Sequence, residues 1–129
     1  IKAGVVGHIG DSRAYRFGPT GVFRLTEDHS WVAERLKEGV LTRTEAERHP
    51  YRNVLTRALG LPEARFDLVE VRLAPGEGVL LVTDGLYGHV PEEEWRLGRD
   101  LQASLEAMVA EALRRGGDDN VTAVALRVE

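Results

Sequence analysis

Apolar positions recur with two periods along the chain, and the switches between those periods lay out the elements. Ala3-Gly4-Val5-Val6-Gly7-His8-Ile9 mixes small and apolar residues and reads as a strand. Gly10-Asp11-Ser12 then turns into Ala14-Tyr15-Arg16-Phe17, and Gly18-Pro19-Thr20-Gly21 turns into Val22-Phe23-Arg24-Leu25. Turn residues at both joints predict a three-stranded meander. The period changes at Ser30, which can cap a helix carrying Trp31, Val32, Leu36 and Val40 on one face. Thr42-Arg43-Thr44-Glu45 matches the capping box of a second, short helix ending before Pro50. Residues 51–60 fit either a helical turn or a loop.

Strict alternation returns over Phe66-Asp67-Leu68-Val69-Glu70-Val71-Arg72-Leu73. Pro75-Gly76-Glu77-Gly78 turns this strand into Val79-Leu80-Leu81-Val82, which is apolar throughout and predicted to be buried on both faces. Pro91-Glu92-Glu93-Glu94-Trp95 opens a short helix with acids at its positive end. The clearest helix covers residues 100–115, with Leu101, Leu105, Met108, Val109, Ala112 and Leu113 as its apolar stripe and Gly116 as its stop. A last strand runs from Val121 to Val128. The class is α+β in one domain, 1–129, with helical text between β-rich parts.

Composition narrows the function classes. A chain of 129 residues can bury one real core, and 43% hydrophobic with 29% charged residues reads as globular. A net charge of −4 gives no reason to expect a nucleic-acid partner. No run is long enough to span a bilayer, and no signal-peptide pattern is present. The absence of cysteine excludes disulfides, thiol catalysis and cysteine-based zinc sites, and fits a reducing, cytoplasmic location. The chain starts at Ile1, and Met108 is its only methionine, which fits a piece of a longer protein.

The candidate chemistry lies where strands meet acidic turns. Val79–Val82 runs into Thr83-Asp84-Gly85, and Gly116-Gly117-Asp118-Asp119-Asn120 runs into the last strand. Gly10-Asp11-Ser12-Arg13 is a third acidic turn. Taken singly, each is ordinary turn chemistry. Side by side, two such carboxylates repel: at ~4 Å the cost is ~1 kcal/mol in water and ~4 kcal/mol at an effective dielectric near 20. A hard divalent cation relieves that repulsion, and oxygen ligands favour magnesium, manganese or calcium. No twelve-residue calcium loop is present. His8, His29, His49 and His89 lack metal-ligand spacing and read as structural. Arg13, Arg52 and Arg57 read as partners of nearby carboxylates or backbone, and Trp31 and Trp95 as packing residues.

Four ordered segments carry a resemblance. They are Gly10-Asp11-Ser12-Arg13-Ala14-Tyr15 with Leu25-Thr26-Glu27-Asp28-His29-Ser30, then His49-Pro50-Tyr51-Arg52-Asn53-Val54-Leu55-Thr56-Arg57-Ala58-Leu59-Gly60, then Leu81-Val82-Thr83-Asp84-Gly85-Leu86, then Asp118-Asp119-Asn120-Val121-Thr122. In order and spacing this set resembles the bacterial metal-dependent serine/threonine protein phosphatases (type 2C, or PPM), over essentially the whole chain. The resemblance implies part of a four-layer α-β-β-α sandwich with mostly antiparallel sheets and a helical flap insertion at about residues 28–61. It implies Asp84 and Asp119 as ligands of a binuclear metal centre, with Asp11 at the position of a third metal. Asp118 reads as a solvated or capping neighbour.

The implied cofactor is manganese or magnesium, two or three ions in the complete enzyme. The implied reaction is hydrolysis of phosphoserine or phosphothreonine by metal-activated water. The implied partners are phosphoprotein substrates, those of a Ser/Thr kinase. The family's first half carries an acidic metal motif with a phosphate-binding Arg and an Asp-Gly-x-Gly-Gly motif; neither is present here. The expectation is therefore the C-terminal portion of a phosphatase, inactive alone, that pairs with its missing N-terminal half or self-associates. A non-catalytic phosphatase-like binding or regulatory module is the alternative.

Overall fold

A computed structural model of the chain describes residues 1–117 and 120–129. Strand β1 (Lys2–His8) does not fold back on β2 (Arg13–Gly18), as the meander reading requires. It pairs antiparallel with β4 (Asp67–Leu73) in a two-stranded ribbon, Lys2 opposite Leu73 and His8 opposite Asp67. Strand β2 pairs with β3 (Gly21–Arg24) and with β5 (Gly78–Val82), and β5 pairs with β6 (Ala123–Arg127). The result is an antiparallel sheet of order β3-β2-β5-β6.

The meander is thus corrected to one hairpin, β2–β3, with Gly10-Asp11-Ser12 as a crossover between sheets. The reason is where the backbone groups of Gly10 go. Its N–H donates to His29 Nδ1 at 3.0 Å, and its carbonyl accepts from the His29 N–H at 2.8 Å. These bonds tie the turn to a distant residue instead of closing a hairpin. Gly10 sits at φ 102°, a conformation open to glycine at low cost.

Alternation along the strands separates two faces of the larger sheet. One face carries Tyr15, Phe17, Leu80 and Val82 onto Leu86, Val90, Trp95, Met108 and Ala112. Leu86 belongs to the short helix α3 (Asp84–Tyr87), and Met108 and Ala112 to α4 (Leu101–Arg114). Trp95 follows a 3-10 turn at Glu92–Glu94, meets Tyr15 edge-on at 4.8 Å and donates its indole N–H to Val90 O at 2.9 Å. Leu113, read as part of the stripe, is exposed. The core stripe is the narrower set Leu101, Leu105, Met108 and Ala112, spaced to repeat on one helical face.

The opposite face is only partly covered. Val71 and Leu73 of the ribbon pack on Val79, with Val6, Leu25 and Val128 alongside. Leu81, Val124 and Leu126 on that face remain 43%, 55% and 56% exposed, so β5 is not buried on both faces as its sequence suggests. A two-stranded ribbon is too narrow to cover a four-stranded sheet. On the ribbon's outer face Ala3, Val5, Gly7, Leu68, Glu70 and Arg72 are all exposed. The described residues therefore build helix, sheet and ribbon in turn, with no helix over the ribbon.

Local capping follows the sequence. Ser30 Oγ accepts from the Ala33 N–H at the start of α1 (Trp31–Lys37), and Thr42 and Glu45 form a reciprocal capping box on α2 (Arg43–Arg48). Residues 51–60 form a loop held by an isolated bridge between Ser30 and Leu55, with the Trp31 N–H donating to Val54 O at 2.9 Å. Asp100 caps α4 through a bond from the Ala103 N–H at 3.1 Å. Asp100→Ala is expected to lower stability by about 1 kcal/mol in urea denaturation. An unchanged midpoint would show that the cap is replaced by water.

Candidate metal site

The Thr83-Asp84-Gly85 turn and the backbone at Asn120 are packed directly on each other. The Thr83 N–H donates to Thr122 O at 3.1 Å, and the Thr122 N–H donates to Thr83 Oγ1 at 3.1 Å. The Thr83 hydroxyl in turn donates to Asn120 O at 3.3 Å. A Cβ on Gly85 would lie 2.1 Å from Asn120 O, so only glycine permits this approach. Asp84 thus starts α3 beside the residue that follows Asp119. Asp118 and Asp119 themselves lie outside the described residues.

Asp11 reaches the same place from the crossover. The Tyr87 hydroxyl, at the end of α3, donates to Asp11 O at 2.6 Å. Burial, then the charges of Asp84 and Asp28, push the Asp11 carboxyl above its ordinary value of 3.8. Folding therefore brings Asp11 and Asp84 into mutual repulsion. The sign follows from proton linkage: the folded chain holds the Asp11 proton more tightly than the unfolded chain does. The penalty is absent below the unfolded value and sets in as pH rises through the raised folded one. Asp11→Asn is expected to raise the melting temperature of the metal-free chain at neutral pH by on the order of 2 °C, and to remove the fall in stability as pH rises from the unfolded value to the raised folded one. A lowered melting temperature would mean that the Asp11 carboxylate is held by favourable contacts.

Arg13 anchors the crossover from behind. Its Nε donates to Asp28 Oδ1 at 2.9 Å and its Nη2 to Asp28 Oδ2 at 2.7 Å, a two-pronged fork. Glu92 Oε1 lies 3.5 Å from Nη1, and Arg24 adds a contact to Asp28 at 3.4 Å. The guanidinium carbon sits 3.6 Å above the centre of the Tyr87 ring. Arg13 is thus committed to carboxylates and an aromatic face. Arg57 pairs with Asp67 at 3.4 Å and donates to Arg65 O, whereas Arg52 donates to His49 O.

His8, His29 and Asp67 bring ligand-type atoms within 4.8 Å of one another. They come from three separate segments, so spacing in the sequence does not reveal them. Their hydrogen bonds make the group a structural clasp. His29 Nδ1 accepts from Gly10, which leaves the proton on Nε2, donated to Asp67 Oδ2 at 2.8 Å. His29 thus has no lone pair facing a common metal position. His8 Nε2 donates to Ser12 O at 2.7 Å. His49 Nδ1 accepts from the Tyr51 N–H, and His89 bonds Gly85 O, both at 3.0 Å. All four histidines brace backbone. Tyr87 is the supporting residue of the site that sequence reasoning missed, since its contact with Asp11 lies far along the chain; Asp28 and His29 stand in a recognised segment, but their partners Arg13, Gly10 and Asp67 are not legible there.

Residues 36–129 match the family described as Stage II sporulation protein E (SpoIIE). The chain belongs to the SpoIIE/PP2C-type phosphatase family. It is 36% identical over 123 residues to the Serine/threonine phosphatase stp of Listeria welshimeri, covering 92% of this chain and 49% of that protein. The structure of the S. agalactiae serine/threonine phosphatase superposes with a TM-score of 0.92 at 30% identity, covering 98% of this chain and 55% of the other. The catalytic domain of the serine threonine protein phosphatase PstP, solved in complex with two manganese ions, superposes at 0.86 with 32% identity, covering 100% of this chain and 55% of the other. This PP2C-type chain spans about half the length of the curated Listeria and Streptococcus relatives it matches. Its mixed helices and antiparallel sheets are those of the bacterial PPM phosphatases.

Proposed function

We propose that this chain is the C-terminal half of a metal-dependent protein serine/threonine phosphatase, with Asp84, Asp119 and Asp11 as its share of the metal ligands. The observation that carries the reading is the bond from the Tyr87 hydroxyl to the Asp11 carbonyl, which ties the crossover to the short helix that Asp84 starts against the Asn120 backbone. The donor set is carboxylate oxygen and the two described carboxyls repel each other, which fits a hard divalent ion, manganese or magnesium. Such ions, when bound, supply a water of lowered pKa and neutralise phosphoryl oxygens.

This chain's own residues hold and orient. Asp84 is set by the strand end at Val82 and by Gly85, Asp11 by the crossover and Tyr87. Arg13 is engaged by Asp28 and Glu92, so phosphate binding falls to residues outside this chain. The uncovered surfaces point to what joins it. Leu81, Val124 and Leu126 are exposed on the sheet, β1 and β6 are edge strands, and His8, Leu25, Asp67, Leu68 and Val69 help to line an open groove of about 550 Å³. The proposed occupant is the other half of the domain, completing the four-layer sandwich; a second copy is the alternative. Residues 28–61 are proposed as a flap bordering the site, phosphoproteins modified by a Ser/Thr kinase as substrates, and the cytoplasm as the location.

The test is calorimetric titration of manganese into the chain and into Asp84→Asn. Saturable binding that the substitution abolishes is the expected result. Binding unaffected by Asp84→Asn removes the site. Robust phosphopeptide hydrolysis by the 129-residue chain alone would refute the half-site reading.

A further inference from the structure

We propose that Tyr87 is a positioning residue of this site: a strut whose hydroxyl fixes the Asp11 turn to the helix that carries Asp84. The inference rests on the metal reading above and adds to it the element that holds two mutually repelling ligands in place. Asp84 and Tyr87 are the first and last residues of α3, a four-residue helix. A helix that short has no stability of its own and takes its orientation from tertiary contacts. The Tyr87 hydroxyl reaches across to the Asp11 carbonyl at 2.6 Å, so one side chain spans the gap between the crossover and the β5 end.

The ring is itself held. Arg13 stacks its guanidinium on the ring at 3.6 Å, and Asp28 holds Arg13 through a two-pronged fork. Arg13 lies two residues beyond Asp11, so the crossover grips Tyr87 twice, once by its carbonyl and once by its cation. Phenylalanine at this position keeps the volume and the stack and removes only the bond to Asp11. The hydroxyl is therefore separable from packing.

The experiment compares the wild-type chain, Tyr87→Phe and Asp84→Asn by manganese titration, thermal melting and amide hydrogen exchange without metal. One lost hydrogen bond is expected to weaken manganese binding about 3- to 10-fold in Tyr87→Phe. The Asp11 and Ser12 amides are expected to exchange faster in the same variant, while its melting temperature falls by no more than about 4 °C. Wild-type affinity and wild-type exchange in Tyr87→Phe overturn the strut and leave the metal reading standing. A weakened affinity that appears only with a collapse of the whole melting transition assigns Tyr87 to the core and also overturns the strut. No manganese binding by the wild-type chain, or full binding by Asp84→Asn, overturns the metal reading and the strut with it.

Discussion

Gly85→Ala is expected to cost about 3 kcal/mol of stability, the upper end for forcing extra atoms into a packed interior, and to abolish metal binding. The added Cβ would meet Asn120 O at 2.1 Å, Asn120 C at 2.9 Å and Val121 Cγ2 at 3.2 Å. Two of those atoms are backbone, so no rotamer change relieves the clash. Either α3 lifts off, taking Asp84 with it, or the 120–122 segment retreats and breaks its bonds to Thr83. Both routes separate Asp84 from the 120–122 backbone. Gly98→Ala is the control: its Cβ would find only Ser104 Oγ at 3.6 Å, an ordinary contact. Urea denaturation of both variants with manganese titration checks the prediction. A Gly85→Ala protein within 0.5 kcal/mol of wild type would show that the Asp84 turn is not locked to the 120–122 backbone.

Arg13→Ala is expected to cost roughly 3–5 kcal/mol, as when one partner of a buried ion pair is removed. The Arg13 and Asp28 side chains are only 15% and 10% exposed. Without the guanidinium, Asp28 keeps its charge in a poorly hydrated place, Glu92 loses a neighbour and the Tyr87 ring loses its stacked cation. Lysine retains the charge but cannot reproduce the fork or the stack, so Arg13→Lys should recover only part of the loss. The double variant Arg13→Ala with Asp28→Ala should be less destabilised than the sum of its singles, because the second change removes the stranded charge. The loss should change little between low and high salt, since the pair is shielded from solvent ions. A cost below 1 kcal/mol, or one erased by salt, would place this pair with ordinary surface bridges.

Much of the local structure is written in short stretches. Ser30, the Thr42–Glu45 box and Asp100 cap where their chemistry says, because a cap needs only a side-chain oxygen and a free N–H a few residues on. The order of the acidic turns points to the PP2C-type family for a similar reason. Each motif is contiguous, and residues 36–129 carry enough of them to match it. Alternation also identifies β4 and β5 as strands.

Pairing partners are another matter, since period-two alternation says that a strand has two faces and not which strand lies beside it. β1 joins β4 rather than β2 because His29 captures the Gly10 backbone and turns the chain out of its first sheet. Leu81 and Leu113 are apolar by sequence and exposed in the fold, because burial depends on whether another layer arrives to cover them. The contact of Tyr87 with Asp11 and the clasp of His8, His29 and Asp67 join residues from segments far apart in the chain. What the sequence by itself determined is the local geometry and the inventory of acidic turns, both set by neighbouring residues through short-range sterics and hydrogen bonds. What only the tertiary structure decided is which turns meet, which faces stay open and which side chains hold the carboxylates together, because those outcomes depend on the packing of whole elements at once.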